Sequence, residues 1–240
     1  MIASLSIENF KSYEFADLPL APLTFLIGAN ASGKSNALEA IRLLSWLAKG
    51  SRLDDMARSI QGADDLVRGQ AQDLFRHNSE SFKVACEFSD MPDDWSCFDL
   101  TVSLLSDKLI ISGETVSKCQ ADELPLYKID SNAKVHTDEV SVMYNNFKKG
   151  GNKPHIPCSN RQAIFYQLMT PGRFDKGNKK SQQVIPTVTK RIRETLQQIV
   201  FLDPRPTRMR DYSFVNKAEM EEDGNNLSSV LHHILSLIHI

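Results

Sequence analysis

Gly28-Ala29-Asn30-Ala31-Ser32-Gly33-Lys34-Ser35 decides how the rest of the chain is read. These residues satisfy GxxxxGK[ST], the pattern of a loop that wraps backbone N–H groups round a phosphate. Their surroundings have the order the physics needs. Leu23–Ile27 (LTFLI) is a short, mostly apolar run suited to a buried strand, and Asn36–Lys49 reads as a helix with Gly50 as its stop. A helix starting there turns the positive end of its dipole toward the phosphate. Gly33 lets the main chain approach closely, Lys34 reaches the β- and γ-phosphates, and the Ser35 hydroxyl joins a Mg²⁺ shell. Gly28, Asn30, Ala31, Ser32 and Asn36 complete the candidate nucleotide-binding set. The motif implies a nucleoside triphosphate; the bland alternative is a Gly/Ser turn between a strand and a helix.

The predicted helix carries one narrow polar stripe, Glu39, Arg42, Ser45 and Lys49, so its other faces must be buried. Downstream, Phe82–Phe88, Phe98–Leu104, Leu109–Ile111, Leu124–Ile129 and Val140–Tyr144 alternate as antiparallel strands do, as Ala3–Ile7 does upstream. The chain then returns to helix over Thr187–Gln198, strand over Ile199–Leu202, and helix over Leu227–Leu235, with Asn225 or Asn226 placed to cap it.

The chain of 240 residues is 41% hydrophobic and 24% charged, enough for a sizeable core. Its net charge of −2 excludes a generally basic nucleic-acid coat and a highly charged disordered chain. Charge is nonetheless uneven: Ser51–Asp99 is acidic, while Asn145–Gln182 carries eight basic residues against Asp175 alone. That basic stretch reads as an exposed excursion, and Phe147, Phe165 and Tyr166 within it leave two readings open, a solvated insert or a nucleic-acid track. Cys86, Cys97, Cys119 and Cys158 are widely spaced with no CxxC pair, which suggests neither a disulfide framework nor a zinc knuckle. The N-terminus carries charge where a signal peptide needs an apolar stretch, and no run is long enough to span a bilayer. The expectation is a cytoplasmic protein without membrane contact. No GxSxG, Cys/His nucleophile pair or histidine metal spacing occurs, and His232-His233 reads as a helix-surface pair. A GTPase would need a DxxG switch, which is absent, although Asn216-Lys217-Ala218-Glu219 approaches the base-reading NKxD.

Ser6-Ile7-Glu8-Asn9-Phe10-Lys11-Ser12-Tyr13, followed by Leu23 to Ile41, resembles the N-terminal ATPase half of RecF, SMC and related ABC-type proteins. Val200 to Pro206, Met209-Arg210-Asp211-Tyr212 and Asp223 to Leu227 are similar to bacterial AAA family ATPases of this RecF/SMC-like group. Ala31 departs from the pattern, since many relatives have Gly there; an ordinary right-handed conformation is therefore expected at Ala31. The resemblance implies an α/β P-loop nucleotide-binding fold, an ABC-ATPase-like head with an antiparallel β-rich section, in an incomplete domain. It implies ATP and Mg²⁺ as cofactors, ATP-dependent homodimerisation, and DNA or an effector protein as partner, in DNA processing or phage defence. Lys11 is placed near the nucleotide by the same resemblance.

Such ATPases also need a signature segment and a strand ending in Asp-Glu, and neither has a convincing copy here. Asp203, closing the apolar run Ile199–Leu202, is a weak catalytic candidate, because Pro204 follows where a catalytic Glu belongs. Arg205, Arg208 and Arg210 in the next loop either contact phosphate or pair with Glu219, Glu221, Glu222 and Asp223. Leu235–Ile240 is what a transposase-type sequencing adapter spells in translation, so a non-native tail is expected over 235–240. The expected divisions are an ATPase core over 1–50, a β-rich section with a basic insert over 51–185, and a return to the core over 186–234. Competing expectations are a self-sufficient P-loop kinase or NTPase and a non-catalytic interaction module.

Overall fold

Alternation of buried and exposed side chains organises eight segments of the chain into one antiparallel sheet. The computed structural model describes residues 1–59, 69–119, 124–130, 138–150, 152–203, 206–209 and 220–238. They fall into two units, Met1–Gln197 and Gln198–Ile240. The first holds eight strands: β1 (Ile2–Phe10), β2 (Tyr13–Pro19), β3 (Ser81–Phe88), β4 (Cys97–Leu105), β5 (Lys108–Ser117), β6 (Tyr127–Ile129), β7 (Glu139–Tyr144) and β8 (His155–Ser159). Their order is β2-β1-β3-β4-β5-β6-β7-β8, and every neighbouring pair is antiparallel. A two-residue turn, Ser106-Asp107, joins β4 to β5 with φ of 48° and 63°, the left-handed pair that matches strand twist. β2 and β8, the latter in the basic stretch, are strands that the sequence reading does not include.

Phe82, Val84, Cys86 and Phe88 of β3 and Phe98, Leu100 and Val102 of β4 point into one buried face. Helices cover it: α1 (Lys34–Ala48), α2 (Leu53–Ser59), α3 (Ile164–Gln167) and α4 (Lys179–Gln197). α1 packs on β1 and α4, α2 on β5, and α3 on β8 and α4. Leu43, Leu44 and Leu47 of α1 are fully buried, each contributing about 1.5–3 kcal/mol of apolar transfer. Two of the polar-stripe residues are not solvated, since Glu39 and Ser45 are buried as well. α4 begins eight residues before the expected Thr187, because Pro186 is accommodated inside the helix.

Glu114 of β5 is a buried carboxylate that caps α3 from outside the helix. It accepts the N–H groups of Ile164 at 2.7 Å and Phe165 at 2.6 Å, and the Tyr127 hydroxyl at 2.7 Å. Burial pushes its pKa up to about 7, against the lowering effect of the Tyr127 and backbone hydrogen bonds. Arg161 ties strands together beneath β8, donating to the Leu109 carbonyl at 2.8 Å and to Asp138 at 3.0 Å. Cys97 and Cys119 are joined as a disulfide, correcting the reading of the cysteines as unpaired. The β4–β5 hairpin brings them together although they are 22 apart in sequence, a proximity that spacing alone does not reveal.

Three expected strand features differ in the structure. Leu23–Ile27 is not a strand among the described residues, and Leu23, Phe25 and Ile27 are 65%, 74% and 92% exposed. A buried strand needs hydrogen-bonding neighbours on both edges, and none of the eight described strands pairs with this segment. Strand β6 is shorter than the expected Leu124–Ile129. In the second unit, 199–203 is irregular, with Val200 and Leu202 exposed and the Asp203 N–H donating to the Glu222 carbonyl at 2.8 Å. That unit ends in α5 (Leu227–Ile238). The side-chain oxygen of Asn226 accepts the Glu221 N–H at 2.8 Å, binding the loop that leads into α5.

Candidate nucleotide-binding site

The loop from Gly28 enters α1 through Gly33, whose φ of 91° and ψ of −5° only glycine adopts without strain. The Gly33 carbonyl accepts the N–H groups of Asn36 at 2.8 Å and Ala37 at 3.1 Å, starting the helix. A Cβ at Gly33 would stand 3.0 Å from the Tyr13 hydroxyl oxygen. Ala31 has φ of 63°, a left-handed conformation, and corrects the expectation of an ordinary right-handed one. The tight reversal between Ala29 and Gly33 requires it, with the Ser32 N–H folding back on the Ala29 carbonyl at 3.3 Å. The local strain is roughly 1–2 kcal/mol for an L-residue.

Lys34 organises the loop. Its ammonium donates to the carbonyls of Gly28 at 2.7 Å and Ala29 at 2.6 Å, and to the Ser32 hydroxyl at 3.2 Å. The loop therefore closes round its own cation at the N-terminus of a 15-residue helix with no acidic residue in its first turn. A Cβ at Gly28 would lie 3.1 Å from Ser32 Oγ, so a side chain at either glycine would crowd the loop. Those features fit an anionic phosphate chain, which Lys34 would meet together with the helix dipole. Ser35 stands on the first turn, where its hydroxyl would join the Mg²⁺ shell of the bound nucleotide. Among the described residues no cluster of three or more His, Cys, Asp or Glu would hold a metal by itself.

What fixes the loop in space is the β1–β2 turn. Asn9 and Lys11 take positive φ values of 55° and 50° there, sharpening the reversal between Phe10 and Tyr13. Three successive turn residues then grip α1: Lys11 pairs with buried Glu39, Ser12 Oγ accepts from Asn36 Nδ2 at 2.8 Å, and Tyr13 donates to the Gly33 carbonyl at 3.1 Å. Glu39, Asn36 and Gly33 are spaced by three along the helix, so all face the turn. The Lys11 ammonium offsets the cost of burying the Glu39 carboxylate. Ser12, Tyr13 and Glu39 were not singled out as site residues from sequence, although all lie within the quoted motifs. Asn36, a member of the candidate set, donates its side-chain amide to Ser12.

The remaining candidates belong to other parts of the chain. Asp203 is exposed in the second unit. Arg208 is exposed in a turn of that unit, while Arg205, Arg210, Asn216, Lys217 and Glu219 lie outside the described residues. Within the basic stretch, Phe165 is core, and Tyr166 packs against Gly50 and under Arg193.

The chain is 31% identical over 90 residues to the DNA replication and repair protein RecF of Clavibacter michiganensis subsp. michiganensis, covering 37% of this chain and 22% of that protein. It is 49% identical over 72 residues to the Gloeobacter violaceus protein of the same name, covering 30% and 17%. It thus spans about a fifth of the length of these relatives. A solved SMC ATPase chain, described for ATP-driven dimerization and DNA-stimulated activation, aligns at 24% identity with a TM-score of 0.32, over 46% of this chain and 67% of that one. No helix among the described residues is long and apolar enough to cross a membrane. The AAA ATPase domain family matches residues 1–230, and with its P-loop and RecF-like N-terminal segment this chain belongs to that family, as an ATPase domain of RecF/SMC-like type.

Proposed function

We propose that this chain binds ATP with Mg²⁺ through residues 28–36. The observation that carries this is the loop closed on Lys34 and clamped to α1 by the β1–β2 turn. Gly28, Asn30, Ala31, Ser32 and Gly33 supply the backbone cradle, Lys34 the charge, and Ser35 the hydroxyl for Mg²⁺; Asn36 positions the first helical turn. In the whole protein, ATP binding drives two copies together and hydrolysis follows in the joined state, coupled to DNA processing or phage defence. The printed role of the RecF relatives in DNA replication and repair supports DNA, with an effector protein as the other candidate partner. Taken alone, the chain binds nucleotide weakly and turns it over negligibly, since Asp203 offers a carboxylate without the glutamate that would position water.

The test is thermal unfolding with and without MgATP. Saturation at about a hundred times Kd would stabilise the fold by about 2.7 kcal/mol, and Lys34→Ala would remove that gain. The absence of any ATP-dependent shift would favour an interaction module, and rapid turnover abolished by Asp203→Ala would favour a self-sufficient P-loop NTPase.

A further inference from the structure

The basic stretch that the P-loop leaves unused is gathered by the fold rather than scattered. Tyr144, at the end of β7, accepts from Asn178 Nδ2 at 3.1 Å and donates to Asp175 at 3.0 Å. Ser181 Oγ donates to the Asn145 carbonyl at 2.9 Å. These bonds lock the entry to α4 against the loop after β7, although some thirty residues of chain separate them. The loop that carries Lys148 and Lys149 is thereby held against the segment that carries Lys176, Lys179 and Lys180, and all five are exposed. Lys153 braces the loop from within, donating to Asn146 Oδ1 and the Lys148 carbonyl. Lys180 stands 4.6 Å over the Phe147 ring. Arg161 and Arg173 take no part, being committed to carbonyls and to Asp138.

We propose that this lysine cluster, at the sheet edge opposite the β1–β2 hairpin, is a docking surface for the phosphodiester backbone of a nucleic acid. Its composition separates that partner from two others. No large apolar side chain is exposed between residues 145 and 190 among those described, so nothing is offered for insertion into a bilayer. Nor is there the desolvated aromatic or aliphatic anchor that a protein interface is built around. Backbone recognition needs only what is present, several cations with amide donors such as Asn152 and Gln183 between them. The surface continues along α4 through an open hollow bordered by Lys179, Gln183 and Lys190. Lys179 to Lys190 spans roughly 16 Å, the rise of about five base pairs.

The proposal rests on the nucleic-acid part of the reading above and not on nucleotide binding. The experiment is fluorescence anisotropy of a labelled DNA duplex of about 20 base pairs with the full chain, across about 50 to 200 mM salt. Five phosphate contacts predict a slope of log K against log salt near −4.5, roughly a 500-fold loss over that range. The variant Lys148→Gln/Lys149→Gln/Lys179→Gln/Lys180→Gln should cut the slope to about −1, keep its melting temperature, and keep any MgATP shift. Lys180→Arg should bind as wild type does, and Lys34→Ala should leave the slope intact. Unchanged duplex binding by the Gln variant would place DNA elsewhere on the chain and overturn this surface. Absence of duplex binding at about 50 mM salt would overturn both the surface and the nucleic-acid reading. Binding to vesicles with phosphatidylserine, without binding to duplex, would replace it by a lipid surface.

Discussion

Replacing Glu114 with glutamine is expected to change how stability depends on pH as well as how large it is. With a folded pKa of about 7 against an ordinary 4.5, the buried carboxyl holds a proton in the folded state that the unfolded chain has released. The stabilising contribution is complete below about pH 4.5 and is lost as pH rises through about 7. Each tenfold gain in proton affinity is worth about 1.4 kcal/mol, so the rise sets a ceiling of about 3–4 kcal/mol, of which about 2–3 falls between pH 5 and pH 8. Glutamine keeps one acceptor and does not ionise, but it turns an amide toward the backbone donors of Ile164 and Phe165. One buried donor is left unmatched, at a cost of about 1–3 kcal/mol. Urea unfolding of both proteins at about pH 5 and about pH 8 separates these effects, because every other group is common to both proteins and cancels in the difference. The wild-type advantage should shrink by about 2–3 kcal/mol on going to the higher pH. An advantage that stays constant within about 0.5 kcal/mol would refute the account, and would mean that the three donors hold Glu114 ionised throughout.

Other expectations follow from single positions. Gly33→Ala places a Cβ 3.0 Å from the Tyr13 hydroxyl at φ of 91°, so it should lower stability by about 1–3 kcal/mol in urea titrations and abolish the MgATP shift. Reducing the Cys97–Cys119 disulfide opens a loop whose ends are 22 apart and should cost about 2–4 kcal/mol, read as a fall in melting temperature with dithiothreitol that is absent in Cys119→Ser. Phe25→Ser, at a side chain 74% exposed, should change the unfolding free energy in urea by less than about 1 kcal/mol, whereas Leu5→Ala in the core should cost about 2–5 kcal/mol.

Local chemistry made much of this protein legible in its sequence. The glycines, lysine and serine of 28–35 read as a candidate phosphate loop because each residue type answers one local requirement of backbone, charge or hydroxyl. The strands from Phe82 to Tyr144 show their period-2 alternation because one face of the sheet is buried. Tertiary structure alone decided the rest. Whether LTFLI is buried depends on neighbouring strands, which no feature of those five residues supplies. Glu39 and Ser45 look like a solvated stripe, yet packing of α1 buries both, and Lys11 supplies the charge that makes burial of Glu39 tolerable. Cys97 meets Cys119, and Ser181 meets Asn145, through a hairpin and hydrogen bonds between distant segments. A chain records which groups it carries, but only long-range folding sets which of them come within a few ångströms of each other.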